Sequence, residues 1–191
     1  MSVKQYKIEA FENLVEAFVS LPSIGRKSAI RLAYHLTMED GFGAMKLAYA
    51  IENGVNSIKR CQQCHNMSED ELCHICSDEQ RDSSKLCIVQ SARDIITIEE
   101  SRHYSGVYYV VSKVEDLDAY HIKEAVRGID EVIFAFPPSI ATDTMILYIE
   151  DKLENMGIEF TRIAQGVPTG VELENIDVVS LSRAMEARVR V

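Results

Sequence analysis

The first sixty residues follow a helical pattern of apolar positions. From Ile8 to Val19 apolar side chains recur every three or four residues, and Pro22 follows, so the pattern predicts an amphipathic helix ending near residue 20. Gly41 and Gly43 interrupt the pattern. After them a second apolar stripe predicts another helix, with apolar positions at Leu47, Ile51, Val55 and Ile58.

The pattern changes after residue 84, where short apolar runs alternate with helical stretches. The runs KLCIVQ, GVYYVVS, EVIFAF and GIEFTRIA are typical of strands, and residues 92–101, 118–127 and 142–156 are typical of helices. A last helix is predicted over residues 180–190. This alternation predicts a parallel or mixed sheet covered on both faces.

The segment LPSIGRKSAIRLAYHL, residues 21–36, predicts a tight turn followed by a helix with bases in its first turns. Helix N-termini normally favour acids, so clustered bases there indicate an external anion. Free amides from Ile24 to Lys27, together with cationic side chains, predict a phosphate cradle of the helix-hairpin-helix kind. The candidate DNA-binding residues are Ile24, Gly25, Arg26, Lys27 and Arg31. The alternative is an ordinary helical corner with solvated bases.

Lys27 and Arg31 are four residues apart and share one helix face, from which both can reach successive phosphates. Leu32 and Leu36 are expected to face inward on the same helix. The distribution of charge favours binding of a polyanion to this region. Residues 1–60 carry a net charge of +2 and residues 77–191 a net charge of −9, within a total of −10.

The segment CQQCHNMSEDELCHIC contains four of the five cysteines in two Cys-x-x-Cys pairs. Neither a signal-peptide pattern nor an apolar run of membrane-spanning length is present, so a cytoplasmic protein with reduced thiols is expected. The spacing predicts one structural Zn²⁺ per chain, held by Cys61, Cys64, Cys73 and Cys76; a redox dithiol is the alternative. Cys87 stands in an apolar run and is expected to be a buried strand residue.

The order of these motifs resembles the RecR family of bacterial recombination mediators. The resemblance rests on L-P-x-I-G-x-K-S-A-x-R-L-A-x-H-L at the predicted hairpin, on the four cysteines, and on the closing T-R-I-A-x-G-x-P-x-G. It covers nearly the whole chain. It implies an α+β multidomain protein: residues 1–60 a helix-hairpin-helix region for DNA binding and oligomerisation, residues 61–76 a four-cysteine zinc finger, and residues 77–191 a Toprim-like α/β domain with a C-terminal helix.

Several stretches depart from the family pattern. Ser23 stands where the family usually has Gly, and Gln90 where it usually has Glu. The stretches KVEDLDAY, residues 113–120, and SIATDT, residues 139–144, replace family segments on a surface that resembles the family's partner-binding face. The resemblance implies RecO as a partner, and the departures leave contact with RecF open.

The resemblance implies a non-enzymatic adaptor that forms a ring-like homo-oligomer, expected to be a tetramer, on double-stranded or gapped DNA. It implies a cytoplasmic, nucleoid-associated protein that loads recombinase during repair. The alternative is a Mg²⁺-dependent Toprim nuclease or primase-like enzyme that would use Asp94, Glu99 and Asp143. A third possibility is a protein-interaction scaffold whose hairpin bases are only solvated.

Overall fold

The computed structural model describes residues 8–164, 166–167 and 170–188, which form an α+β fold as predicted. Pro168 of the closing motif and the expected helix end at Arg190 lie outside these residues. The chain divides into two compact units, residues 1–58 and residues 59–191. We call them the N-terminal unit and the second unit.

The N-terminal unit consists of helices. The structure has α1 (Glu9–Val19), α2 (Arg26–Tyr34), a π-helical turn (His35–Glu39) and α3 (Gly41–Ser57). The predicted first helix is confirmed. Helices α1 and α2 pack over a small core whose buried residues are Val15, Ala29 and Ala33, with larger apolar side chains half-buried around it.

Helix α3 begins at the glycines that were expected to interrupt the pattern. Asp40 caps the helix, because its side chain accepts a hydrogen bond from the Gly43 amide at 2.8 Å. A Cβ atom at Gly43 would lie 2.0 Å from the Asp40 carboxylate. Glycine therefore allows this close cap, and both glycines belong to the first turn of the helix.

The apolar stripes of α2 and α3 are not buried within this unit. The prediction that Leu32 faces inward is wrong, since 39% of it is exposed, and Leu36 is only half-buried. The small residues Ala29 and Ala33 face α1 instead and allow the two helices to approach closely. No residue of α3 is buried, so the expected stripe lies at the surface of the N-terminal unit.

The second unit contains two sheets. Two short strands, β1 (Lys59–Arg60) and β2 (Met67–Ser68), pair in antiparallel fashion. Four parallel strands form the main sheet in the order β4-β3-β5-β6: β3 (Asp82–Val89), β4 (Gly106–Val110), β5 (Glu131–Ala135) and β6 (Glu159–Arg162). Each of the four apolar runs lies on one of these strands, so the predicted parallel or mixed sheet is confirmed, and it is parallel throughout.

The helices of this unit are α4 (Ala92–Ser101), α5 (Ala119–Ala125), α6 (Ile140–Leu153) and α7 (Val178–Glu186). Ser91 and Ser139 form capping boxes that begin α4 and α6. No helix among the described residues has both the length and the apolar character that crossing a bilayer requires.

Alternate residues of β3 point to two different cores. Leu86 and Ile88 lie in a core with residues of α5 and α6. Cys87 and Val89 lie in a second core, which contains Ile95 of α4 and the cysteines of the predicted zinc segment. Both faces of the sheet are therefore covered, one mainly by α5 and α6 and the other by α4 and the cysteine segment.

Candidate zinc centre and nucleic-acid interface

The four predicted ligands come together as one cluster. The Sγ atoms of Cys61, Cys64, Cys73 and Cys76 all lie within 4.8 Å of one another, and those of Cys64 and Cys73 are 3.6 Å apart. Tetrahedral Zn–S bonds of about 2.3 Å require sulfur atoms about 3.8 Å apart. The first three cysteines are buried and Cys76 is half-buried. This donor set fits one structural Zn²⁺ with no position left for water.

Backbone hydrogen bonds shape both knuckles, Cys61–Cys64 and Cys73–Cys76. The amide of Cys61 donates to the Asn66 carbonyl at 2.8 Å, which closes the first turn between β1 and β2. The amide of Cys73 donates to the Cys61 sulfur at 3.3 Å, which links the two knuckles. Hydrogen bonds of this kind favour a thiolate at Cys61.

The thiols of Cys61 and Cys64 differ in pKa. Burial raises the pKa of Cys61, but amide hydrogen bonds, led by that of Cys64, outweigh it and bring the pKa to about 7. A hydrogen bond with Cys76 raises the pKa of Cys64 well above its ordinary value, and burial adds to the effect. A second negative charge this close to the first is unfavourable without a cation. A divalent ion removes that obstacle, and its binding would release protons.

The first knuckle is attached to the edge of the main sheet. The Val110 amide of β4 donates to the Cys64 carbonyl at 2.9 Å. Cys87 of β3 lies in the same core and is buried, as predicted, and burial raises its pKa to about 12. It therefore remains a neutral thiol that packs beside the ligands.

The start of α2 carries backbone donors that the helix does not use. Gly25 provides no side-chain cap, and the first intrahelical bond runs from the Ala29 amide to the Gly25 carbonyl at 3.0 Å. The amides of residues 26–28 therefore have no acceptor among the described residues. Ile24 differs from the expectation: its amide donates to the Leu21 carbonyl at 3.3 Å, and its side chain packs on the small core.

The three bases at this helix start are not equivalent. Arg26 forms an ion pair with Glu12 of α1 at 2.9 Å, a partner fourteen residues earlier that no sequence pattern indicated. Lys27 and Arg31 are exposed, and neither has an ion-pair partner in the described ranges. Two cationic side chains beside unused amides form a surface suited to phosphate groups.

The turn before α2 contains a strained residue. Ser23 has a φ of +65°, in the left-handed region that glycine adopts at little cost. This geometry gives a physical reason for the glycine that the resembled family usually has there. Ser23 still completes the turn, since Gly25 follows in an extended conformation and α2 starts directly afterwards.

The three carboxylates of the enzymatic alternative each have a structural partner. Asp94 accepts a hydrogen bond from the Ser91 amide at 2.8 Å, and Asp143 pairs with Arg162 at 2.9 Å. Glu99 forms an ion pair with Arg81. Across the part of the chain that the structure describes, the four cysteines are the one group of three or more residues positioned to hold a metal ion.

The ion pair of Glu99 is part of a larger network that sequence reasoning missed. Tyr108 of β4 donates to Glu99 at 2.6 Å, and Arg81 also donates to the Gly106 carbonyl at 3.3 Å. Burial raises the pKa of Glu99, but the hydrogen bonds from Arg81 and Tyr108 outweigh it and leave the pKa below its ordinary value. The network connects the segment after the second knuckle to α4 and β4.

Comparison with known families divides the chain in the same order as these features. Family models match residues 11–55 (RecR, helix-hairpin-helix), 58–78 (RecR, four-cysteine zinc finger domain), 84–164 (Toprim domain) and 166–189 (RecR, C-terminal). The chain is thus of the class that combines a helix-hairpin-helix, a four-cysteine zinc finger and a Toprim domain.

Similar proteins cover the full length. Recombination protein RecR of a Nitratiruptor species is 54% identical over 97% of this chain and 98% of its own length. The protein of that name from Helicobacter pylori (strain Shi470) is 45% identical over the whole of both chains. That from Campylobacter jejuni subsp. jejuni is 47% identical over 96% of this chain and 98% of its own. The chain belongs to the RecR family.

Proposed function

We propose that this protein is a non-enzymatic, DNA-binding recombination mediator. It forms a ring-like clamp and helps load recombinase onto gapped or single-stranded DNA in recombinational repair. The observation that carries the proposal is the start of α2, where unused backbone amides lie beside the exposed cations Lys27 and Arg31. Family membership over the full length supports the recombination role.

The hairpin binds the DNA backbone and does not read the bases. Amides at a helix start and flexible cationic side chains recognise phosphate oxygens, which every sequence presents alike. Lys27 and Arg31 supply most of the charge, because Glu12 already neutralises much of Arg26. Gly25 supports this contact by leaving the helix start without a side-chain cap, and Ile24 acts indirectly by fixing the turn.

The engagement of the carboxylates supports the proposal that the protein is not an enzyme. Mg²⁺-dependent phosphoryl transfer requires carboxylates free to share a metal ion with a phosphate. Asp94 is engaged in a helix cap, and Asp143 and Glu99 are engaged in ion pairs. The strand end where the family usually has Glu carries Gln90, which offers no charge to a metal ion.

Ring formation explains how an acidic chain can hold DNA. A modest positive patch repeated around a closed ring gains affinity from multivalency that one copy lacks. The N-terminal unit exposes a set of large apolar side chains, which supports association between copies. They include Tyr34, Met38, Phe42, Met45, Tyr49, Ile51 and Val55. A tetramer is the assembly we propose.

Each predicted domain has its own proposed role. Residues 1–60 bind DNA and oligomerise, residues 61–76 hold zinc, and residues 77–191 recruit partners. RecO is the proposed partner, and RecF contact is left open by the altered stretches at residues 113–120 and 139–144. The proposed location is the cytoplasm, in association with the nucleoid.

The double variant Lys27→Ala/Arg31→Ala tests the DNA contact. Zinc content and assembly mass should not change, because exposed charges contribute little to folding. Affinity for duplex DNA should fall sharply, and the slope of log K against log salt should decrease by about 0.9 per lost phosphate contact. The matched control is Lys123→Ala/Arg127→Ala, which removes two exposed bases at the same spacing, one on α5 and one just beyond its end. If the hairpin variant binds as tightly as the parent at moderate salt, the hairpin is not the DNA contact.

Incubation with labelled gapped DNA and Mg²⁺ or Mn²⁺ tests the absence of catalysis. Retention of uncut, unextended DNA is the expected result. Metal-dependent cleavage or synthesis that Glu99→Gln abolishes would instead establish the enzymatic alternative. If DNA is neither retained nor altered, the protein is a scaffold for other proteins.

A further inference from the structure

A hydrogen-bond chain joins the first zinc knuckle to helix α5. The Tyr109 hydroxyl lies 2.7 Å from Nδ1 of His121, and Nε2 of the same ring lies 2.9 Å from the Gln62 carbonyl oxygen. Gln62 stands directly after Cys61, within the Cys-x-x-Cys turn. One side chain from α5 therefore reaches the backbone that holds two of the four metal ligands.

The two hydrogen-bond partners of His121 determine which ring nitrogen carries the proton. A carbonyl oxygen can only accept, so Nε2 of His121 carries the proton that it donates to Gln62. In the neutral ring Nδ1 is then an acceptor, and it accepts from the Tyr109 hydroxyl. Hydrogen-bond donation therefore runs in one direction. Tyr109 on the sheet donates to His121, and His121 donates to Gln62 in the knuckle.

The ring of His121 is also held by packing. His65, which follows the knuckle, stacks on it with ring centroids 4.6 Å apart and an interplanar angle of 14°. Tyr109 is buried in the core of the sheet and lies 5.1 Å from the His65 ring. A ring fixed by a stacked neighbour and by two hydrogen bonds has little freedom to move independently of the knuckle.

His121 also lies at the start of α5, directly after a surface segment that departs from the family pattern. Asp118 caps this helix by accepting from the amides of Tyr120 and His121. Most of residues 113–120 are exposed, while Leu117 is buried in the core and Val114 packs against it. The position of this segment therefore depends on how the first turn of α5 is held.

We propose that His121 is a positioning residue through which zinc binding at the first knuckle orders the segment of residues 113–120 and the start of α5. The inference depends on the zinc centre and not on the proposed DNA contact, so either can fail alone. Coupling between two sites is reciprocal. If zinc orders this segment through His121, loss of the link must also weaken zinc retention.

Three substitutions distinguish loss of the His121 hydrogen bonds from general destabilisation of the fold. His121→Gln places an amide donor near the position of Nε2 and should retain the bond to Gln62. His121→Asn can still accept from Tyr109 but is too short to reach the knuckle. Tyr109→Phe removes the hydroxyl that orients the ring. The matched control is His103→Asn, since His103 is exposed and bonds locally to the Ser101 carbonyl.

The readouts are zinc release to a chelator and amide hydrogen exchange of residues 113–125, measured with and without zinc. In the parent and in His121→Gln, zinc should slow exchange at residues 113–125. In His121→Asn this zinc-dependent difference should be lost, and zinc should leave on the order of ten times faster, as for other outer-shell partners of metal ligands. The rate of zinc release from Tyr109→Phe should lie between those of the parent and His121→Asn. His103→Asn should match the parent.

Two results would overturn the proposal. One is parent-like zinc release and zinc-dependent protection in His121→Asn. The other is an equal increase of exchange with and without zinc, which indicates a structural role unrelated to the metal. If His121→Asn does not fold, the test rests on the other two variants. Tyr109→Phe should then retain zinc less well than His121→Gln, and equal retention would overturn the proposal.

Discussion

The two units of this protein bury their apolar residues very differently. Among the residues that the structure describes, the core of the N-terminal unit has three buried residues, two of which are alanines. Counted in the same way, the second unit has two cores with fourteen and nine buried residues, one on each face of the sheet. A stripe of large apolar side chains lies exposed on α3 of the first unit, whereas the apolar side chains on strands of the main sheet are buried or half-buried.

The two units therefore obtain their stability from different sources. The second unit covers both faces of its sheet from its own sequence, although one face depends on the cysteine cluster. The N-terminal unit leaves more apolar surface exposed than an isolated small domain tolerates well. Association with further apolar surface would complete it, which agrees with the proposed role in assembly.

Zinc removal should have the largest effect. Structural zinc in small fingers contributes about 10–16 kcal/mol of apparent binding free energy at pH 7. Chelation should therefore lower the thermal midpoint of the second unit by about 20 °C or more, at roughly 2–4 °C per kcal/mol. Calorimetry with and without a chelator measures this. Cys87→Ala is the control and should retain one zinc per chain; an unchanged midpoint in the zinc-free protein would contradict the structural role.

Phe42→Glu should disrupt the assembly. Phe42 is 85% exposed in the first turn of α3, so a charge there is compatible with the helix but not with an apolar interface. Light scattering should report a mass at most half that of the parent. Ile140→Glu is a matched control, because Ile140 is 88% exposed at the start of α6 in the second unit. A mass that falls only in the control would place the interface on the second unit.

Arg81→Ala should weaken the second unit measurably. The side chains of Arg81 and Glu99 are 14% and 29% exposed, so removal of the cation leaves a poorly solvated carboxylate at a cost of about 1–3 kcal/mol. Denaturant unfolding measures the loss. The control Arg127→Ala removes an exposed partner of Glu124 and should change stability by less than about 0.5 kcal/mol.

The effect of Arg81→Ala should also depend on pH. Because the folded pKa of Glu99 is lowered, the stability from this ion pair is fully present above the unfolded pKa, about 4.3, and is lost as pH falls through the lower folded pKa. The difference between parent and variant should be constant from pH 7 to about pH 5 and should shrink below about pH 4. A difference that grows on acidification would exclude the pair as its cause.

Ser23→Gly should produce the smallest change, a gain in stability. Glycine relieves the left-handed strain at φ +65° but adds unfolded-state entropy, so the net gain should be at most about 1 kcal/mol. The control Ser20→Gly replaces a residue at φ −69° whose hydroxyl bonds the Ala17 carbonyl, and it should destabilise. Equal effects of the two substitutions would show that strain at residue 23 is negligible.

Much of the second unit could be predicted from the sequence because its signals are local. A buried parallel strand requires a continuous apolar run, and all four runs fall on strands of the main sheet. The predicted helix over residues 92–101 coincides with α4, where Ser91 and Asp94 supply a capping box. The cysteine spacing likewise indicated which four sulfur atoms would come together.

The contacts that sequence patterns missed join residues far apart in the chain. Periodicity shows that α2 has apolar positions, but it cannot tell whether α1 covers Leu32 or the alanines. The partners Glu12 of Arg26 and Arg81 of Glu99 are fourteen and eighteen residues away. His121 reaches the knuckle from fifty-nine residues away. Such pairs depend on how the elements pack, which no local pattern contains.

The bond between the Val110 amide and the Cys64 carbonyl has a consequence for aggregation. Strand β4 lies at the edge of the main sheet, and an uncovered edge strand offers its amides to strands of other molecules. At this edge the Cys64 carbonyl of the first knuckle accepts the Val110 amide, and a bound zinc ion would hold that knuckle in place. Loss of zinc would therefore release an apolar strand, GVYYV, for intermolecular β-pairing, and would convert a local loss of order into self-association.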